Sequence, residues 1–440
     1  MKKLHIYLLL FTMTFMSVVS SLFFEPLTTH AQLSDVEAES AILIDAETGE
    51  ILFEKNSDVA LPPASMTKMM TEYLVLEAID NGVISWDTET EISQYSFDIS
   101  ANNNFSGVGL RLDHLYTVKE LYDAMAIYSD NATSIALAEL VAGSEGEFVK
   151  MMNEKAEEMG LPEAKFVNSS GLPNSSLGEN YPEGTEPDAD NLMSARSSAL
   201  LAYHLINDYP EFLDVSSIPT KEFEGHTMIN YNWMLPGIPG HLEQFSYDGV
   251  DGIKTGWTTL AGYSFTGTAE RNGTRLITVV MRTESEAARF NETRKLLDHG
   301  FNDFEKVTLY EAGYQIEEES ILPVDKGKES QVSIEAADSI EKIVRIGDRE
   351  NYSVEYQLNE ELLNEDGALV APVEEGLEVG RMVLTYNGEH NYGNILTDEA
   401  TSVPIVTTSE VEKANWFTLL MRSIGDFFVN LFESIKGIFT

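Results

Sequence analysis

Hydrophobic positions along the chain change period several times, and each period predicts an element. Residues 41–53 read as a strand, a turn at Glu47 to Gly49 and a second strand. Pro62, Pro63 and Ala64 then lead into an apolar run through Met69, Met70, Tyr73, Leu74 and Leu76, which predicts a buried helix with Ser65 in its first turn. Helical spacing recurs at 121–128, at 148–159, at 195–206 and in the run Ala132, Ile135, Ala136, Leu137, Ala138 and Leu140. Strand-like segments at 252–259, 263–268 and 276–281 follow, closed by a helical pattern at 287–299. From about residue 308 the period becomes two, in short strands such as 353–358 and 381–386 divided by Gly, Asn and Asp, up to about Ile405. Helices mixed with strands, then strands alone, predict an α+β first domain and a smaller all-β second domain.

Both termini carry apolar segments of another kind. Lys2 and Lys3 precede an apolar run at 4–24, and Thr29-His30-Ala31 before Gln32 offers a small-residue cleavage site, the layout of an export signal. At the other end Trp416, Leu420, Ile424, Phe427, Phe428, Leu431, Ile435, Ile438 and Phe439 fall on one helical stripe, with Arg422, Asp426, Asn430, Glu433 and Lys436 opposite. Lying in a membrane interface suits such a helix. Residues 411–440 balance Lys413, Arg422 and Lys436 against Glu412, Asp426 and Glu433, so attachment is expected to depend on apolar area and hardly on salt. The expected division is 1–31 export signal, 32–305 first domain, 306–405 all-β domain, and 406–440 linker with amphipathic anchoring helix.

Composition narrows the function. With 28 basic and 73 acidic residues the formal charge is −45, which excludes nucleic acid as a partner. The chain has no cysteine, hence no disulfide, thiol nucleophile or thiolate metal site, and its eight histidines lack metal-ligand spacing. No metal and no cofactor are expected.

Three short motifs carry the candidate chemistry: Ser65-Met66-Thr67-Lys68, Ser129-Asp130-Asn131 and Lys254-Thr255-Gly256. A serine hydroxyl needs a base within hydrogen-bond reach, and Lys68, three residues along a helix, stacks over Ser65. That amine serves only when neutral, a state favoured by burial and by a second cation, for which Lys254 is the candidate. Lys254 would also attract a substrate carboxylate. The backbone N–H of Ser65, paired with that of Trp257, would stabilise an oxyanion. Each motif alone is weak, since Ser339-Ile340-Glu341-Lys342 and Ser100-Ala101-Asn102 fit the same patterns. Order and helical context single out the first three.

In that order the motifs resemble those of the penicillin-recognising serine acyltransferases, in particular low-molecular-mass penicillin-binding proteins of the D-alanyl-D-alanine carboxypeptidase type. The likeness spans nearly the whole chain and includes residues 41–50, 166–172 and 288–293. It implies a β-lactamase/transpeptidase-like fold, with an antiparallel sheet beside clustered helices. Ser65 would be the acylated nucleophile, Lys68 its base, Ser129 a proton relay, and Asn131 a partner of Lys68 and of the substrate amide. Lys254, Thr255 and Arg289 would hold the terminal carboxylate, with Gly256 letting the strand lie close to the ligand. The implied reaction removes the last D-alanine of a peptidoglycan stem peptide through an acyl-enzyme, and β-lactams would acylate the same serine. Members of this type are held on the outer face of the cytoplasmic membrane by a C-terminal helix. Trp257 stands where relatives more often have His or another residue, and the acidic stretch 178–191 is longer than usual, which leaves the cleft rim open. The alternatives are a D,D-endopeptidase or β-lactamase of the same superfamily, or a non-catalytic wall-binding or sensor protein.

Overall fold

The computed structural model describes residue 33 and residues 36–388, 393–397, 400–422 and 424. The export signal expected at 1–31 lies outside them, as do residues 425–440 of the C-terminal stripe.

Strand β1 (Ser40–Asp45) is buried along its whole length and turns back into β2 (Ile51–Lys55). The Asp45 carboxylate closes that turn by accepting from the backbone N–H of Glu47 (3.2 Å) and Thr48 (2.7 Å), the local bond that makes Asp a turn residue. On its other side β1 pairs with a strand from the far end of the domain. Strands β3 (Val250–Thr258), β4 (Gly262–Arg271) and β5 (Thr274–Thr283) form an antiparallel meander, and the sheet order is β2-β1-β5-β4-β3. The last two strands run longer than the apolar pattern indicates. Asn272 and Gly273 join them with φ of 52° and 81°, the left-handed pair of a tight hairpin whose twist continues that of its strands.

Helices cover the sheet and build the main core. Helices Ala195–Asp208 and Glu286–Asp303 pack directly on it. Helix α1 (Lys68–Asp80) is buried without interruption from Lys68 to Leu76, packed among Leu121, Tyr122, Met125, Ile135, Leu137 and Phe148. A helix enclosed on all sides is stabilised by its burial, at roughly 1.5–3 kcal/mol per large apolar side chain, and that anchoring offsets the cost of carrying Lys68, Thr71 and Glu72 inside with it.

Beyond helix Glu286–Asp303 the chain enters an all-β region with its own core, including Val332, Ile334, Val379, Met382 and Ile405. It holds a six-stranded sheet and the pair Phe304–Tyr310 and Ile340–Arg345. Pairing runs past the expected end at residue 405, through strand Ser402–Thr407 to bridges at Val411 and Lys413. A helix then starts at 416, with the Asn415 side chain accepting from Thr418 N–H at 2.9 Å, and exposes Trp416, Phe417, Leu420, Met421 and Ile424. Among the described residues no helix is long and apolar enough to cross a membrane.

The all-β region grips the outer edge of the first sheet. Ile51 N–H donates to the Gly393 carbonyl at 3.1 Å and Ile395 N–H to the Gly49 carbonyl at 2.8 Å, so β2 does not end in an open ladder. Lys342 pairs with Glu50 at 2.5 Å, the two side chains 16% and 12% exposed. Burial raises the Glu50 carboxyl above its usual range while Lys342 pulls it back. Removing one partner of such a pair strands the other, so Lys342→Ala is expected to destabilise the protein by about 2 kcal/mol, below the roughly 3–5 kcal/mol of a fully buried pair. Urea denaturation measures this, and an unmoved midpoint would mean that Glu50 simply takes up a proton.

Candidate active site

Ser65, the expected nucleophile, sits on a pinched turn. Ala64 has φ +49° and opens a single 3-10 turn, Ala64–Thr67, so Ser65 precedes the α-helix proper, which begins at Lys68. This corrects the expectation that Ser65 lies in the first α-helical turn, and the cause is backbone crowding from two sides. A Cβ on Gly171 would lie 1.9 Å from the Ala64 carbonyl oxygen, and one on Gly256 would lie 2.3 Å from that of Pro63. Only glycine permits such an approach. The spacing of three still brings Lys68 to Ser65, with Nζ 3.1 Å from Oγ.

Lys68 is wholly buried, and its nitrogen has two further acceptors: Asn131 Oδ1 at 2.8 Å and the Ser170 carbonyl at 2.6 Å. Burial first, and the Lys254 charge second, push its ammonium well below the ordinary lysine value, against Asp130 and Glu72. A neutral amine has two N–H groups and one lone pair. In that state Asn131 and Ser170 would take the two donors and leave the lone pair for the Ser65 hydroxyl.

Ser129-Asp130-Asn131 forms the junction of two helices. Helix Val118–Tyr128 opens with a Thr117/Glu120 capping box and stops at Ser129, held in the left-handed region at φ 57°, ψ 31°. Asp130 caps the next helix, Asn131–Ala142, by accepting from Thr133 N–H at 2.8 Å, and its other oxygen accepts from Val108 N–H at 2.6 Å. The capping function thus belongs to Asp130. Ser129 Oγ is left buried with no hydrogen-bond partner, and a non-glycine residue in that conformation stores strain of order 1 kcal/mol or more, as functional sites do.

Strand β3 supplies the opposite wall. Thr255 and Trp257, two residues apart, face a cleft of about 340 Å³ that is also lined by Ser65, Ser129, Asn104, Ser106, Tyr231, Tyr263, Glu286 and Arg289. By the same alternation Lys254 and Gly256 face the turn that carries Ser65. Lys254 is buried and lowered to about 8, by burial first, with Glu72 opposing and Arg289 adding to the shift. Arg289 is 2% exposed and lines the same cleft. It donates to the Gly256 carbonyl (3.4 Å) and to Glu286 (3.1 Å), and burial lowers it to about 10. Ser65 and Trp257, the expected oxyanion donors, line the same cleft, with the Trp257 side chain at its exposed rim.

The competing motif matches fall elsewhere. Ser339 accepts from Ala312 N–H, while Lys342 stands on a β-strand paired with Glu50. Ser100 ends helix Gln94–Ser100 and accepts from Leu110 N–H. The Glu-x-x-Leu-Asn pattern that would carry a deacylating water in a β-lactamase occurs at 355–359 and 360–364, both in the all-β region and neither in the cleft lining.

The family likeness marks residues 166–172 without saying what they do, which is to shape the surroundings of Lys68. Asn168 Oδ1 accepts from the N–H groups of Ser170 (3.2 Å) and Gly171 (2.8 Å), and Glu145 accepts from the N–H (2.9 Å) and hydroxyl (2.6 Å) of Ser169. These bonds aim the Ser170 carbonyl at Lys68. A backbone acceptor leaves no residue-type signature, although Gly171 among small polar residues hints at a close approach.

A family model described as D-alanyl-D-alanine carboxypeptidase matches residues 27–285, and one described as penicillin-binding protein 5, C-terminal domain, matches residues 304–413. The chain belongs to the D-alanyl-D-alanine carboxypeptidase family. This carboxypeptidase is 32% identical over 394 residues to the D-alanyl-D-alanine carboxypeptidase DacF of Bacillus subtilis, covering 89% of this chain and 90% of that one. Among solved structures it resembles a peptidoglycan synthesis regulatory factor, PBP3, from Streptococcus pneumoniae (TM-score 0.67, 35% identity, 86% of this chain and 100% of that one). It also resembles penicillin-binding protein D2 from Listeria monocytogenes in a cefotaxime-bound form (TM-score 0.53, 31% identity, 62% of this chain and 100% of that one). The carboxypeptidase is therefore a serine peptidase, with a sheet-and-helix catalytic domain and an all-β C-terminal domain.

Proposed function

We propose that this enzyme removes the terminal D-alanine from peptidoglycan pentapeptide stems with Ser65 as nucleophile and Lys68 as base. The observation that carries this reading is the Lys68 amine, held by Asn131 and Ser170 with Ser65 Oγ at 3.1 Å. Ser65 Oγ attacks the carbonyl of the penultimate residue while Lys68 takes its proton. The N–H groups of Ser65 and Trp257 meet the charge that forms on the carbonyl oxygen. The C–N bond then breaks, and the leaving nitrogen receives a proton relayed from Lys68 by Ser129, whose hydroxyl has no competing partner. Water, deprotonated by Lys68, hydrolyses the ester and restores the serine. Lys254, Thr255 and Arg289 draw in the terminal carboxylate. A β-lactam carries an amide and a carboxylate in a similar relation and would acylate the same serine, as the cefotaxime-bound relative supports.

Release of D-alanine from a synthetic pentapeptide tests the activity, and its absence from the folded protein ends the reading. Because burial and Lys254 lower the Lys68 ammonium, the acid limb of kcat/KM is expected to lie well below the ordinary lysine value of about 10.4. A rate that still climbs through pH 10 would exclude Lys68 as the base.

The proposed division of labour is an export signal at 1–31, catalysis by 32–305, an all-β spacer from 306, and a membrane-interface helix at the C-terminus. Exposure of Trp416, Phe417, Leu420 and Met421 supports that last part, and together with the export signal such a helix would hold the enzyme on the outer face of the cytoplasmic membrane. Flotation with neutral lipid vesicles, undiminished by high salt and lost on truncation after Asn415, is the matching result. A truncated chain that floats equally well would contradict it.

A further inference from the structure

A cleft that draws in an anion has reason to keep acids out of its walls, and this one admits a single exception. In a chain with 73 acidic residues, Glu286 is the one acid among the described residues lining the cleft, beside Ser65, Thr255, Trp257, Tyr263 and Arg289. Glu286 opens helix Glu286–Asp303, where Ser285 already supplies the cap by accepting from Ala288 N–H at 3.1 Å. An acid in a first helical turn is ordinary, because it favours the positive end of the helix dipole. This one does more. Its carboxylate, 42% exposed, accepts from Arg289 Nη2 at 3.1 Å, one helical turn along.

Arg289 is the group expected to meet the terminal carboxylate of the substrate, yet its donors are directed elsewhere. Nη2 donates to Glu286 and Nη1 to the Gly256 carbonyl at 3.4 Å, while Nε is hidden without a partner. The rings of Phe290 and Tyr263, centred 4.8 Å and 5.9 Å from the guanidinium carbon, supply no anion. A guanidinium so deeply buried is costly to leave unpaired, and Glu286 pairs it before any substrate arrives. Two carboxylates crowded onto one guanidinium edge repel each other. One has to yield.

We propose that Glu286 is a specificity-determining residue: it holds Arg289 as a resting counter-ion, and the carboxylate of an incoming acyl donor must displace it. The inference rests on the carboxypeptidase reading, in which that carboxylate is the C-terminus of a peptide ending in D-alanine. Released D-alanine carries the same group, so the return of Glu286 to Arg289 helps to expel it. Glu286 thus weakens the hold on substrate and product alike.

Glu286→Gln keeps the shape of the side chain and removes its charge. Two acyl-D-alanyl thioesters separate the possible roles, one with a leaving group ending in a carboxylate and one ending in a carboxamide. The reactive thioester lets the neutral donor turn over as well. For the carboxylate thioester and for a pentapeptide, KM should fall about five- to tenfold with kcat within about twofold. For the carboxamide, kcat/KM should stay within about twofold. D-Alanine should inhibit the variant at about five- to tenfold lower concentration. An equal change with both thioesters, or none with either, would assign Glu286 to the helix terminus alone and overturn the proposal. A rise in KM for the carboxylate donor would overturn it too, by showing that Glu286 orients Arg289 for the substrate.

Should Glu286→Gln fail to fold, Glu286→Asp keeps an acid in the first helical turn but shortens its reach to Arg289. The preference for carboxylate over carboxamide should still rise, by a smaller factor, and an unchanged preference defeats the assignment. An enzyme that shows this shift with the thioesters while the unaltered form releases no D-alanine from a pentapeptide would sink the carboxypeptidase reading and leave the role of Glu286 standing.

Discussion

Ser65→Ala is expected to abolish D-alanine release and covalent labelling by β-lactams together, lowering turnover by roughly a millionfold, as removal of an attacking serine does elsewhere. The protein should remain folded. Ser65 is only partly buried, and its Oγ is one of three groups around Lys68 Nζ, so its loss leaves Asn131 and Ser170 still bonded to the amine. A stability change within about 1 kcal/mol is the expected cost of such a truncation. Retained turnover with an unchanged pH profile would show that the nucleophile is another group. The leading rival among cleft residues is Ser129, whose hydroxyl is buried and free of partners.

The second large effect should come from a residue with no chemistry. Gly171 has φ +85°, and a Cβ there would meet the Ala64 carbonyl oxygen at 1.9 Å, its carbon at 2.4 Å and Ser65 N at 3.0 Å, all rigid backbone atoms. Gly171→Ala therefore combines a left-handed penalty of roughly 1–2 kcal/mol with overpacking of about 1–3 kcal/mol. A loss of about 2–5 kcal/mol is expected. Either the nucleophile turn or the Ser170 carbonyl must give way, and a displacement near 1 Å costs about a hundredfold in rate. Gly143→Ala is the control: its φ is +82° but nothing lies within 4 Å, so only the backbone penalty applies and acylation should be unaffected. Unfolding midpoints and penicillin acylation rates of the two variants measure the contrast. Equal behaviour would mean that the crowding at Ser65 is of no consequence.

Legibility in the sequence followed the range of the interaction. Ser65 and Lys68 were readable as a pair because a helical spacing of three is local, and Ser129 to Asn131 because an apolar helix begins there. Which residue of that tripeptide caps the helix was not readable, since serine, aspartate and asparagine all cap well, and only the left-handed turn at Ser129 hands the role to Asp130. Helical spacing at 287–299 does not say where the Arg289 side chain goes, and only the fold buries it against Gly256 and Glu286. The likeness at 166–172 does not reveal what the Ser170 carbonyl and Glu145 do, because one acts through a backbone atom and the other through Ser169.

By itself the sequence determined the order of elements, the change from mixed to all-β structure near residue 305, and a serine, two lysines and an arginine as candidates for acyl transfer. These follow from periodicity and side-chain chemistry, which act over a few residues. Tertiary structure alone decided that β1 pairs with β5, more than two hundred residues away, and that the loop at 168–171 and strand β3 clamp the nucleophile turn from two sides. It also buries both lysines, which pushes both ammonium groups below the ordinary lysine value. Desolvation and the sum of neighbouring charges depend on what surrounds a group in space, and that environment is assembled from segments the chain keeps far apart.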